Sequence, residues 1–111
     1  MIFALAASLV FSQAGEPPPP QVTQAGDAFA GCVSDRLVQA EDRVRPERIA
    51  DAILDRCRPQ QDAMTASHAR WVQASNLSER EKAQSLRAAQ RNLRAMRGQI
   101  IETIRRDRQN R

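Results

Sequence analysis

From Phe29 onward, apolar residues recur every three or four positions, the spacing of one helix face. Phe29, Cys32, Val33, Leu37, Ala40 and Val44 form the first stripe. It predicts a helix over about 27–42, with Asp27 as its N-cap. A second stripe of Ile49, Ile53, Cys57, Met64, His68 and Trp71 falls within about 100° of arc. Pro46 suits its first helical position. Pro59 interrupts this run without shifting its register, so the pattern predicts one helix bent at Arg58–Pro59, by a kink or a one-turn break.

The third stripe is Leu86, Ala89, Leu93, Met96, Ile100 and Ile104, running to about Arg108. Its start is marked by Ser78-Glu79-Arg80-Glu81, the residue pattern of a capping box, with Leu77 in the staple position. If helices 2 and 3 turn near Asn76, Ile49 lies level with Ile104, Ile53 with Ile100, Cys57 with Met96 and Met64 with Ala89. His68 then approaches Leu86. The expected fold is all-α, an antiparallel three-helix arrangement: a short helix 1, a long Pro-kinked helix 2 and a long basic amphipathic helix 3.

The only two cysteines, Cys32 and Cys57, are centred on the break before Pro46. An antiparallel hairpin turning there brings the two sulfurs level, which predicts a disulfide and an oxidising compartment. Redox-active pairs are usually close in sequence, at a helix start that favours the thiolate. These two are far apart, one mid-helix and one near a helix end, so a structural staple is the reading. Aromatics are few, and the core must be built from Ala, Ile, Leu, Val and Met, which makes a staple valuable in a chain of 111 residues.

The N-terminus fits export. Ile2 to Phe11 is an uncharged, mostly apolar stretch, too short to span a bilayer as a helix, and Ser12-Gln13-Ala14 places small residues for cleavage after Ala14. Residues 1–14 are therefore read as a signal peptide, although its usual basic start is missing. Residues 15–26, with Pro17 to Pro20, are read as a proline-rich linker, and 27–111 as the helical domain. Phe29-Ala30-Gly31-Cys32 has the form of a lipoprotein box, but polar residues and prolines separate it from the apolar segment.

The segment Cys32-Val33, Leu37, Ile49-Ala50-Asp51-Ala52 and Cys57, behind a signal sequence, resembles a type of small exported bacterial two-cysteine helical protein of unknown function. The resemblance implies the disulfide hairpin and export, and it brings no activity.

Charge is unevenly placed. Residues 1–75 carry seven Arg against nine acids. Residues 76–111 carry nine Arg and Lys82 against four acids, so the basic character lies in the C-terminal third. Arg80, Arg87, Arg91, Arg94 and Arg105 fall within about 60° of arc beside the apolar stripe of helix 3. Such a row either attracts a polyanion or covers a thin core with its aliphatic stems. Asp51, Asp55 and Asp62 form an acidic stripe on helix 2, expected to face solvent and not to reach the arginines. His68 is read as a boundary or partly buried histidine, and Trp71 as a packing anchor.

No nucleophile–base pair, metal-ligand set or phosphate loop is apparent, so no catalytic residue, metal or cofactor is expected. The leading expectation is an exported, non-enzymatic helical protein, periplasmic or secreted, that binds an envelope protein or an anionic envelope surface through helix 3. The alternative is a cytoplasmic nucleic-acid-binding module of low specificity, since no base-reading residues interleave the arginines. Neither a small-molecule substrate nor an oligomeric state is indicated.

Overall fold

The structure, a computed structural model, describes residues 17–111. The expected signal peptide, residues 1–14, lies outside the described residues. Among the described residues four helices follow one another: α1 (Pro20–Val38), α2 (Pro46–Arg56), α3 (Arg58–Ala74) and α4 (Glu79–Gln109). No strand occurs among the described residues.

α1 starts at Pro20, well before the expected cap at Asp27. Pro19 is extended, and Pro20 occupies the first helical turn, where its missing N–H costs nothing and its fixed φ is already helical. The proline run thus stops being a linker at its last member. The additional turns bury Val22 and Gly26, while Asp27 sits exposed within the helix.

The expected single helix 2 is two helices, α2 and α3. The interruption is one residue, Cys57, whose φ of −94° and ψ of 11° depart from helical geometry. Pro59 follows and has no N–H to give to the carbonyl four residues back. The ladder resumes at once: Cys57 N–H donates to the Ile53 carbonyl (2.9 Å), and the Cys57 carbonyl accepts from Gln61 N–H (3.0 Å).

α4 carries the capping box expected from its sequence. Glu81 N–H donates to Ser78 Oγ (3.1 Å), and Ser78 N–H donates to Glu81 Oε1 (3.0 Å). At 31 residues α4 is about 46 Å long. The longest dimension of the molecule is 49 Å, so this helix sets it.

The main core draws on every helix: Phe29 and Val33 from α1, Ile49, Ala50 and Ile53 from α2, Met64 from α3, and Met96, Ile100, Ile101 and Ile104 from α4, with Cys57 between α2 and α3. α1 packs chiefly on α3, and α2 chiefly on α4. Along α4 the core fades at Leu93; Leu86 and Ala89, expected to be core residues, are only half-buried. Val22, Ser67, His68 and Val72 are also buried.

The Cys32–Cys57 disulfide is present, with Cα atoms 5.9 Å apart. It joins the middle of α1 to the residue that separates α2 from α3. Removing this bridge by a double Cys→Ser substitution is expected to lower stability by about 3 kcal/mol, from the closure entropy of the loop, measured by urea unfolding. Gly98 offers a change of opposite sign. It is exposed in the middle of α4, with no heavy atom within 4 Å of where a Cβ would sit. Gly98→Ala is expected to stabilise by roughly 0.5–1 kcal/mol in the same assay.

Candidate anion-binding surface

α4 divides its cations into two sets. In its N-terminal half, Arg80, Arg87, Arg91 and Arg94 are exposed. None of the ion pairs found among the described residues involves any of them. At 1.5 Å per residue the row covers about 21 Å of helix axis. Its neighbours on the outer face are short or neutral: Gln84, Ala88, Gln90 and Ala95. Lys82 lies off the row, donating to the Gln73 carbonyl (2.9 Å) and pairing with Glu79 (3.4 Å).

The C-terminal half is different. Arg105, expected to belong to the binding row, pairs with Glu47 Oε2 at 2.6 Å. Arg97 pairs with Asp51 at 2.7 Å. Arg108 donates to the carbonyls of Glu41 (3.0 Å) and Val44 (2.7 Å), and Arg111 joins Asp42 and Asp107. These arginines tie the end of α4 to α2 and to the turn before it. As the arginine moves from Arg97 and Arg105 on α4 to Arg111 just beyond it, the partner in 42–51 moves from Asp51 through Glu47 to Asp42, so these two segments run in opposite directions.

One expectation is corrected by these pairs: Glu47 removes Arg105 from the free row. Asp51 reaches α4 only at Arg97, outside that row. Asp55 and Asp62 remain exposed. The Glu47–Arg105 pair is legible in the sequence: the alignment that sets Ile49 level with Ile104 also sets Glu47 close to Arg105. The geometry of these pairs also holds the Asp51 carboxyl below its usual range, through the hydrogen bond from Arg97. Glu47 is likewise lowered, first by a backbone hydrogen bond and then by the nearby Arg105.

Between Gly98 and Arg105 the row is broken. Gly98 falls in the same sector of the helix and presents no side chain. The free cationic surface is thus Arg80, Arg87, Arg91 and Arg94, a compact patch at the end of the molecule where α3 turns into α4.

Two concave features lie elsewhere. At the opposite end, a groove of about 580 Å³ is lined by Leu37, Val38, Ala40 and Ile104, with Arg108 and Arg111 at its rim. Val38 there is 87% exposed. A second, open cleft of about 500 Å³ lies beside Cys32. Among the described residues no group of three or more His, Cys, Asp or Glu could hold a metal ion, and no described helix is long and apolar enough to cross a membrane.

His68 is more deeply buried than expected, at 2% exposure, with Trp71 half-buried and edge-on to it at 6.1 Å between ring centroids. No family model, curated protein or solved structure matches this chain.

Burial pushes the His68 imidazole below its usual 6.5, because the charged form loses its hydration. In the unfolded chain the ring therefore binds a proton more readily than in the fold. Its contribution to stability is complete above pH 6.5 and is lost as pH falls through the lowered folded value. The urea midpoint is expected to drop between pH 7 and pH 5, and His68→Gln is expected to flatten that drop.

Proposed function

We propose that this is an exported, non-enzymatic helical protein that binds an anionic partner of the cell envelope through the N-terminal half of α4. One observation carries the reading: four exposed arginines in one sector of one helix have no acidic partner among the described residues, while arginines of the other half are engaged by the protein itself. A cation already held by a carboxylate gains little from a second anion. An unpaired one keeps its full field, and neighbouring unpaired cations reinforce one another.

The disulfide is consistent with a location outside the reducing cytosol. The layout that supports the reading is an antiparallel bundle of three rods, with α2 and α3 acting as one rod broken at Cys57. In that arrangement the free arginine patch lies on the outside of the third rod. No large apolar side chain accompanies the patch; the one exposed large apolar residue among those described, Val38, lies in the groove at the other end. The contact is therefore electrostatic and screened by salt on the scale of a Debye length, about 10 Å at 0.1 M.

Retention on vesicles of zwitterionic lipid doped with anionic phospholipid, and on heparin, tests this. Replacing Arg80, Arg87 and Arg91 with Gln is expected to abolish salt-sensitive retention and leave the circular dichroism spectrum and melting curve unchanged. Arg105→Gln is the internal comparison: it breaks the Glu47 pair but keeps the patch, so retention should persist. Unchanged retention in the triple variant would show that the arginines only solvate the helix.

A further inference from the structure

Cys32 and Cys57 differ sharply in access. Cys57 is fully buried, at 0% exposure, whereas Cys32 is only half-buried and lines the open cleft of about 500 Å³. The cleft is walled on the α1 side by Gly31, Asp35 and Arg36, and on the α3 side by Gln60. The Gln60 side-chain oxygen is buried with no hydrogen-bond partner among the described residues. Cys32 is therefore the accessible end of the bridge. Gly31 contributes space: a Cβ placed on it would meet nothing within 4 Å.

The fold also changes the position of Cys57. It does not sit inside one bent helix but caps the start of α3, and its carbonyl accepts the first hydrogen bond of that helix. Negative charge is stabilised at a helix N-terminus, where the peptide dipoles converge. Burial of the same sulfur works against the anion. Access decides the direction of attack, because an incoming nucleophile can meet only Cys32.

We infer that the Cys32–Cys57 bridge is open to thiol–disulfide exchange in the folded protein, by attack of a peptide thiolate on Cys32 from this cleft. The incoming sulfur forms a bond to Cys32 Sγ, the Cys32–Cys57 bond breaks, and Cys57 leaves as a thiolate at the start of α3, the proton of the incoming thiol having gone to solvent. A second thiolate then attacks the incoming sulfur, forming a new external disulfide and releasing the Cys32 thiolate. The protein's disulfide is reduced by two electrons and the two external thiols are oxidised to one disulfide. Arg36 draws in the thiolate, while Asp35 opposes a carboxylate carried with it.

Glutathione serves as the probe, added to the oxidised full-length protein without denaturant. The reaction is stopped by alkylation at intervals, and the modified peptides are identified by mass. The expected rate rises in proportion to glutathione concentration. The first product is expected to carry glutathione on Cys32 and the alkyl group on Cys57. Gly31→Leu, which fills the cleft from an exposed helical position, is expected to slow the reaction several-fold, whereas Gly31→Ala, which raises helix propensity alike but leaves the cleft open, is expected to slow it much less. A rate that levels off with glutathione concentration would mean the bridge opens only through unfolding and would overturn the proposal. So would glutathione on Cys57, or an undiminished rate in the Gly31→Leu protein.

Discussion

The disulfide between Cys32 and Cys57 is the constraint on which this architecture rests. It ties α1 to the single residue where the chain leaves α2 and begins α3, so one bond fixes three helices at a common point. Among the described residues the core around it is built almost wholly from aliphatic side chains and methionine, with Phe29 as its only aromatic member. In a domain this small, the apolar area available barely offsets the entropy of ordering the chain. A cross-link that limits the unfolded state therefore counts for a large part of the net stability.

Around that point the charges are sorted by geometry. Beyond the middle of α4, each arginine that meets α2 or the turn before it finds a carboxylate or a backbone carbonyl, and the pairs step regularly along the two segments. These pairs are exposed and weak one by one, yet they set the alignment of the two helices. Nearer the start of α4 no acidic residue of the described chain meets the arginines, and the core beneath them thins to half-buried Leu86 and Ala89. The same helix is thus a structural clamp at one end and an unpartnered cationic surface at the other.

Local signals were the most legible in the sequence. The capping box at Ser78 and Glu81 involves neighbours three residues apart and needs no tertiary context, and it formed as read. The helical stripes and the cysteine pairing rested on long, consistent periodicity, which tolerates errors at single positions. The misread places each turn on a residue with two meanings. Pro20 can end a helix or begin one, and only the burial of Val22 in the following turns decides between them. Pro59 marks a disturbance, but whether the helix bends or breaks depends on Cys57, held by its bond to α1. Arg105 belongs to the basic row by its angle on α4 and leaves it because of Glu47 on another helix. A helix considered alone cannot show which of its charges a neighbour will claim.

The central claim is that a Cys32–Cys57 bond holds this protein in its natural setting. The most direct test is the intact mass of the protein from its native host, alkylated without reduction and again after reduction. The account predicts a chain beginning at Gly15 that takes up two alkyl groups only after reduction. A full-length chain with two thiols already free before reduction would contradict it.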